Sequence, residues 1–388
     1  MASLLLPTRS RRLEPYRTGG PTGFPAVAAG PFNRRAFAAV HVVGDPLSEK
    51  DPWLAPAIDW EATIAYRRYL WGLGFAVAEA MDTAQRGMGL DWPASLELIR
   101  RSVAAAAEVP GAIVFSGAGT DHLPPEPGMG LDQVIRAYEE QCEAIERLGG
   151  RIVLMASRAL AAAARGPDDY AKVYGRVLAQ LREPVIIHWL GDMFDPALAG
   201  YWGHADVERA MEVCLAVLEH NAAKIDGVKI SLLSRAHEIA MRRRLPAGVR
   251  MYTGDDFHFA ELIAGDERGH SDALLGIFDA IAPAASAALN ALACGDRTAY
   301  EKILAPTVPL SRHIFAAPTR FYKTGVVFMA WLNGHQPHFV MVGGQQSARH
   351  ILHLSELFRL ADKAGLLRDP ELAARRMRTL LAINGIES

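Results

Sequence analysis

Ile225-Asp-Gly-Val-Lys-Ile-Ser231 is a short apolar run that carries an ammonium near its end, and the helical stretch before it, Ala205 to Ala223, marks it as one strand of a βα repeat. Seven other runs alternate with helical stretches in the same way: Ala36 to Val43, Phe75 to Ala80, Ala112 to Phe115, Ile152 to Met155, Pro184 to Trp189, Val249 to Thr253 and Ala273 to Phe278. Each gap is long enough for the crossover helix that a parallel pair requires. Eight such units predict a closed (β/α)₈ TIM barrel. A doubly wound open sheet has the same alternation, but the first βα turn lacks that fold's glycine-rich phosphate fingerprint.

Helix boundaries support this reading. Asp59 precedes an amphipathic run from Trp60 to Leu73, and Asp91 precedes Trp92-Pro93 and a run to Val109. Leu131 to Leu148 closes on Gly149-Gly150, and Pro167 to Leu181 ends before Pro184. Residues 1–35 are rich in Pro, Gly and Arg without periodicity, which predicts an extended N-terminal arm. The barrel is expected over 36–296. Residues 297–388 read as a C-terminal helical appendix packed on it, with helices from Thr324 to Leu332, Arg349 to Ala364 and Pro370 to Ile383.

Composition narrows the class of function. Half of the 388 residues are apolar and 22% are charged, which suits a large core. A net charge of −2 gives no bulk attraction for nucleic acid or an anionic membrane. Cys142, Cys214 and Cys294 are too far apart for paired zinc spacing or a disulfide framework, so a cytoplasmic location is expected. The apolar start, Met1 to Leu6, is shorter than a secretory signal needs, and no window reaches the roughly 18 apolar residues of a membrane helix.

Lys229 concentrates the chemistry. A free lysine titrates near ~10.4, so only about one in 2,500 is neutral at pH 7. Burial disfavours the charged form and frees the lone pair to attack a carbonyl. The competing reading is a lysine that snorkels to the rim or pairs with a carboxylate.

Barrel active sites lie at the carboxyl ends of the strands, and the residues there form a polar ring. It contains Asp45, Asp82 and Thr83, Asp121 and His122, Ser157 and Arg158, His188 and Asp192, Lys229, and Gly254-Asp-Asp256 with His258.

The Val-Lys pair of Gly227-Val-Lys229, Tyr252-Thr-Gly-Asp-Asp256, and the helix-like Pro283 to Asp296 give the chain a resemblance to a known superfamily. Across residues 36–333 it resembles the dihydrodipicolinate synthase and N-acetylneuraminate lyase superfamily of class I aldolases, and more closely a dihydrodipicolinate-synthase-like branch. The resemblance implies a Schiff-base-forming lyase acting on a small 2-oxo acid or related carbonyl compound, without cofactor or metal, in a homo-oligomer such as a dimer or tetramer.

Carried over by position, Lys229 is the imine-forming lysine. Thr83, with Asp82 in Asp82-Thr-Ala-Gln-Arg86, belongs to the substrate-binding loop, whose second threonine falls on Ala84. Gly254 matches the turn by which the seventh strand approaches the pocket. Asp255 beside it is a substrate-side position that also suits a helix cap.

Two positions depart from the pattern. The strand-four tyrosine that shuttles protons is replaced by Ala156-Ser157-Arg158, and the Tyr-Asn of strand five by His188-Trp189. An imidazole can move protons at neutral pH, so His188 is the candidate shuttle, against the reading of a hydrogen-bonded core histidine. Arg158 offers a two-pronged donor for a substrate carboxylate, against the reading of an arginine bonded to Asp121 or Asp192. Two other functions remain open: a metal-dependent hydrolase or isomerase using His188, Asp256 and His258, and a non-catalytic binding protein derived from an aldolase.

Overall fold

Eight strands close into a parallel barrel in the computed structural model, which describes residues 1–20, 23–24, 31–126 and 128–387. In chain order the strands are β1 (Ser3–Pro7), β2 (Leu13–Arg17), β3 (Ala36–Ala39), β4 (Ala76–Glu79), β5 (Val114–Ala118), β6 (Arg151–Met155), β7 (Val185–Leu190), β8 (Ile225–Ser231), β9 (Arg250–Thr253) and β10 (Asp272–Leu275). The barrel runs from β3 to β10 in sequence order, and β10 pairs in parallel with β3 to close it. The chain is thus a (β/α)₈ TIM barrel with a C-terminal helical part, as the alternation of apolar runs and helices predicted.

Two compact units make up the chain: residues 34–40 with 75–276, and residues 1–33, 41–74 and 277–388. The first of these holds the whole barrel. Its interior is apolar where inward side chains meet, with the Phe37 ring 5.1 Å from Phe115 and 5.8 Å from Tyr252. Helix starts are fixed by side-chain caps: Asp91 accepts from the Ala94 N–H at 2.9 Å, Asp206 from Arg209 at 2.9 Å, and Ser157 from Leu160 at 2.9 Å. Such caps stabilise a helix by about 1 kcal/mol each.

The other unit contains the helix Trp60–Gly72, capped by Asp59, and the helices from Ile277 onward. β1 and β2 form an antiparallel hairpin within residues 1–20, whose Leu4 and Leu6 are buried; β1 lies against the helices Ile351–Lys363 and Pro370–Ile383. The helix Tyr322–Leu332 is buried along its whole length, which its apolar sequence requires. No helix of the described residues is long and apolar enough to cross a membrane.

One buried carboxyl beneath the barrel wall has a measurable consequence. Glu238, on the helix Arg235–Arg242, accepts from the Thr253 hydroxyl at 2.8 Å and the Ser271 hydroxyl at 2.7 Å. Burial outweighs those two bonds and raises its pKa from 4.5 to about 8. Between those values the folded chain keeps a proton that the unfolded chain has released. Stability therefore falls by about 1.4 kcal/mol per pH unit as pH rises through that window. Glu238→Gln keeps a neutral polar group at the site, so at pH 7 it should stabilise the chain by about 3 kcal/mol and flatten the pH dependence. Urea midpoints from pH 5 to 8 check this; a destabilising substitution at pH 7 would contradict it.

Candidate active site

The strand register brings four inward side chains level with one another: Met155 opposite His188, His188 opposite Lys229, and Lys229 opposite Tyr252. Alternation along β8 returns Ser231 to the same face, two residues beyond Lys229. The His188 Nε2 lies 3.1 Å from the Ser231 Oγ.

Lys229 is 7% exposed. Burial pushes its amine below the ordinary 10.5, while the negative charges of Asp82 and Asp256 pull it back part of the way. His188 is buried more completely. Desolvation first, and then the charge of Lys229, hold its imidazolium well below 6.5, so it stands neutral at pH 7 beside the amine.

Asp82 opens a single 3₁₀ turn, Asp82–Ala84, at the end of β4, closed by Gln85 in the left-handed region at φ 66°. The turn carries the next arginine into the barrel mouth. Arg86 is buried and fully engaged: it meets Asp121 at 2.9 and 2.7 Å, the Gly117 carbonyl at 2.8 Å and the Gln141 Oε1 at 2.5 Å. Arg158 differs, because among the described residues only its Nε is held, by Asp195 at 2.5 Å, and its side chain is 42% exposed. Its partner is thus Asp195 and not Asp121 or Asp192: Arg86 holds Asp121, and the loop after β7 presents Asp195, the cap of the turn Pro196–Leu198.

A cavity of about 90 Å³ opens here, lined by Asp82, Arg86, Asp121, Arg158, His188 and Asp195 among others. Lys229 is not itself on the wall, but its register neighbour His188 and its charge neighbour Asp82 are. The cavity mixes two guanidinium groups, each paired with a carboxylate, with a third carboxyl group, that of Asp82.

Gly254 is explained by close packing. A Cβ there would lie 2.8 Å from the Lys229 Cε, 2.2 Å from the Ser231 Oγ and 2.7 Å from the Ile230 carbonyl. No side chain fits without displacing the lysine stem.

The structure therefore brings together Lys229, His188, Asp82, Arg158 and Gly254. Thr83 is buried and does not line the cavity. Asp255 is turned to its own loop: Oδ1 accepts from the Phe257 and His258 N–H groups at 2.8 and 3.1 Å, and Oδ2 lies 2.8 Å from the His258 Nδ1. His258 is thus tied to Asp255 and His188 to Ser231. Among the described residues, no three His, Cys, Asp or Glu side chains stand in metal-ligating geometry. Ser231 and Asp195 were not singled out in the sequence. Period-two alternation from Lys229 pointed to Ser231, whereas Asp195, 37 residues from Arg158, had no local signal.

The family described as "Protein of unknown function (DUF993)" matches residues 4–386. No curated protein matches the chain. Among solved structures, the chain is similar to a putative dihydrodipicolinate synthetase from Pseudomonas aeruginosa at 14% identity and TM-score 0.63, covering 85% of this chain and 99% of that one. It is also similar to a dihydrodipicolinate synthase from Aquifex aeolicus, at 13% identity and TM-score 0.59, covering 91% of this chain and 98% of that one. A third is YagE, a prophage protein of the dihydrodipicolinic acid synthase family from E. coli K12 in complex with pyruvate, at 13% identity and TM-score 0.63, with 91% and 99% coverage. These likenesses show the fold, in line with the family resemblance read from the sequence.

Proposed function

The chain belongs to the DUF993 family, and from that premise and the geometry at the barrel mouth we propose that it is a class I lyase: it makes or breaks a carbon–carbon bond in a small 2-oxo acid or related carbonyl compound through an imine on Lys229. The observation that carries this reading is a buried amine, lowered in pKa, beside a small polar cavity at the carboxyl ends of the strands.

The neutral Nζ adds to the substrate carbonyl carbon, giving a carbinolamine. Loss of water leaves a protonated imine, which accepts the electron pair of the breaking bond and becomes an enamine. In the bond-forming direction the enamine carbon attacks the second substrate. Asp82, which lines the cavity and is near enough to act on the amine electrostatically, is suited to pass the protons that carbinolamine formation and dehydration require. His188, neutral and held by Ser231, accepts or returns a proton at the enamine carbon.

The acid end of the substrate falls to Arg158. Among the described residues its guanidinium is engaged only at Nε, whereas Thr83 is buried and not on the cavity wall.

The test is trapping. Borohydride added with a panel of 2-oxo acids and aldehydes reduces an imine to a stable amine, and peptide mass mapping should place the added mass on Lys229 with at least one of them. A broad panel that leaves no adduct removes this function.

A further inference from the structure

A second cavity, of about 500 Å³, has every wall residue among the described ones in the unit made of residues 1–33, 41–74 and 277–388. It is more than five times the volume of the one beside Lys229 and shares no lining residue with it. Small-molecule sites are usually clefts of roughly 300–1,000 Å³ that are largely formed before the ligand arrives.

Three rings on its wall stand against one another. The His335 ring is 4.9 Å from Tyr66 and 4.6 Å from Tyr69, and the two tyrosines are 5.5 Å apart. Behind them lies Asp279, whose side chain is wholly shielded from solvent. Its Oδ2 takes both donors of His41, the main-chain N–H at 2.8 Å and Nδ1 at 2.7 Å. Its Oδ1 has no partner among the described residues. Leaving a buried carboxylate oxygen unmatched is costly unless a ligand compensates.

Ala280, Pro283, Met329 and Ala330 give the wall an apolar flank, and Asn333 adds an amide whose Oδ1 accepts from the Arg368 N–H at 2.8 Å. Arg368 stands at the exposed rim, from where its charge acts on Tyr69 and His335. The inner end is aromatic, with the hydrogen-bonded Asp279 and His41 behind the rings, and the flank is apolar. Ring quadrupoles and a carboxylate attract the same kind of group, an organic cation. His335 supplies no competing charge, because burial lowers its pKa to about 4.

We propose that this cavity is a second ligand site, which takes a small molecule carrying an ammonium group on an apolar body. The ammonium lies among Tyr66, Tyr69 and His335 with Asp279 behind it, and the apolar body runs along Met329 and Ala330.

Benzylamine is the probe and benzyl alcohol its uncharged counterpart, both titrated calorimetrically into the full chain. Benzylamine should bind one to one and at least tenfold more tightly than the alcohol. Tyr69→Ala should weaken the amine about tenfold, and Asp279→Asn should bring the two probes to within about twofold of each other. Because Asp279 also holds His41, the Tyr69 variant, which loses no intramolecular hydrogen bond, keeps the test decisive if the Asp279 variant does not fold. Lys229→Met should leave benzylamine binding unchanged, so the outcome is independent of the lyase reading. Equal affinities for amine and alcohol, indifference to Tyr69→Ala, dependence on Lys229, or no binding at all would each overturn the assignment.

Discussion

Lys229→Met should abolish the borohydride adduct with every 2-oxo acid that labels the natural chain, and lower turnover by on the order of 10⁴-fold or more, because no other group at the site supplies the electron sink. Methionine has nearly the length of lysine and no charge to bury. The lysine is 7% exposed and its amine is destabilised by desolvation, so the variant should fold with unchanged or slightly greater stability. That separates chemistry from collapse: a folded protein with no adduct is the expected pair of results. An adduct that survives in Lys229→Met would move the reaction to another amine, such as Lys224, whose Nζ donates to the Leu181 carbonyl at 2.6 Å.

Gly254→Ala is the second large effect, and it reaches the same amine through packing alone. The added methyl group meets the Ser231 Oγ and the Ile230 carbonyl as well as the lysine stem. The carbonyl cannot retreat without breaking the bond it accepts from the Gly254 N–H at 2.9 Å. Overpacking of this kind costs about 1–3 kcal/mol.

The side chains that yield are the useful ones. Ser231 would leave its 3.1 Å contact with His188, and Lys229 would swing from its place between Asp82 and Asp256. A displacement of about 1 Å at a reacting group costs roughly 10²-fold in rate. Denaturant midpoints and the rate of adduct formation should therefore fall together. Natural stability with natural trapping would show that Gly254 does not position the amine.

The barrel was legible because its information is local. Apolar runs such as Pro184 to Trp189 and Val249 to Thr253 fall on β7 and β9, and the acidic residues before Trp60, Trp92 and Val207 cap their helices. Lys229 was legible for a related reason, since a charge inside an apolar strand contradicts its surroundings.

The partners of these residues were not legible. Arg158 meets Asp195, Arg86 meets Asp121 and Gln141, and Thr83 turns away from the cavity that its neighbours Asp82 and Arg86 line. The unmatched oxygen of Asp279 and the Tyr66 and Tyr69 rings near it come from segments more than 200 residues apart in the chain.

Periodicity, caps and one misplaced charge were enough to specify eight strands, their order and the residue on which the proposed chemistry centres, because each depends on neighbours within a few positions along the chain. Which side chains meet, which amine loses its water and where a cavity stays open emerged only on folding. Desolvation and hydrogen bonding depend on atoms a few ångströms away in space, and those atoms come from elements that closing the barrel and packing the helices bring together.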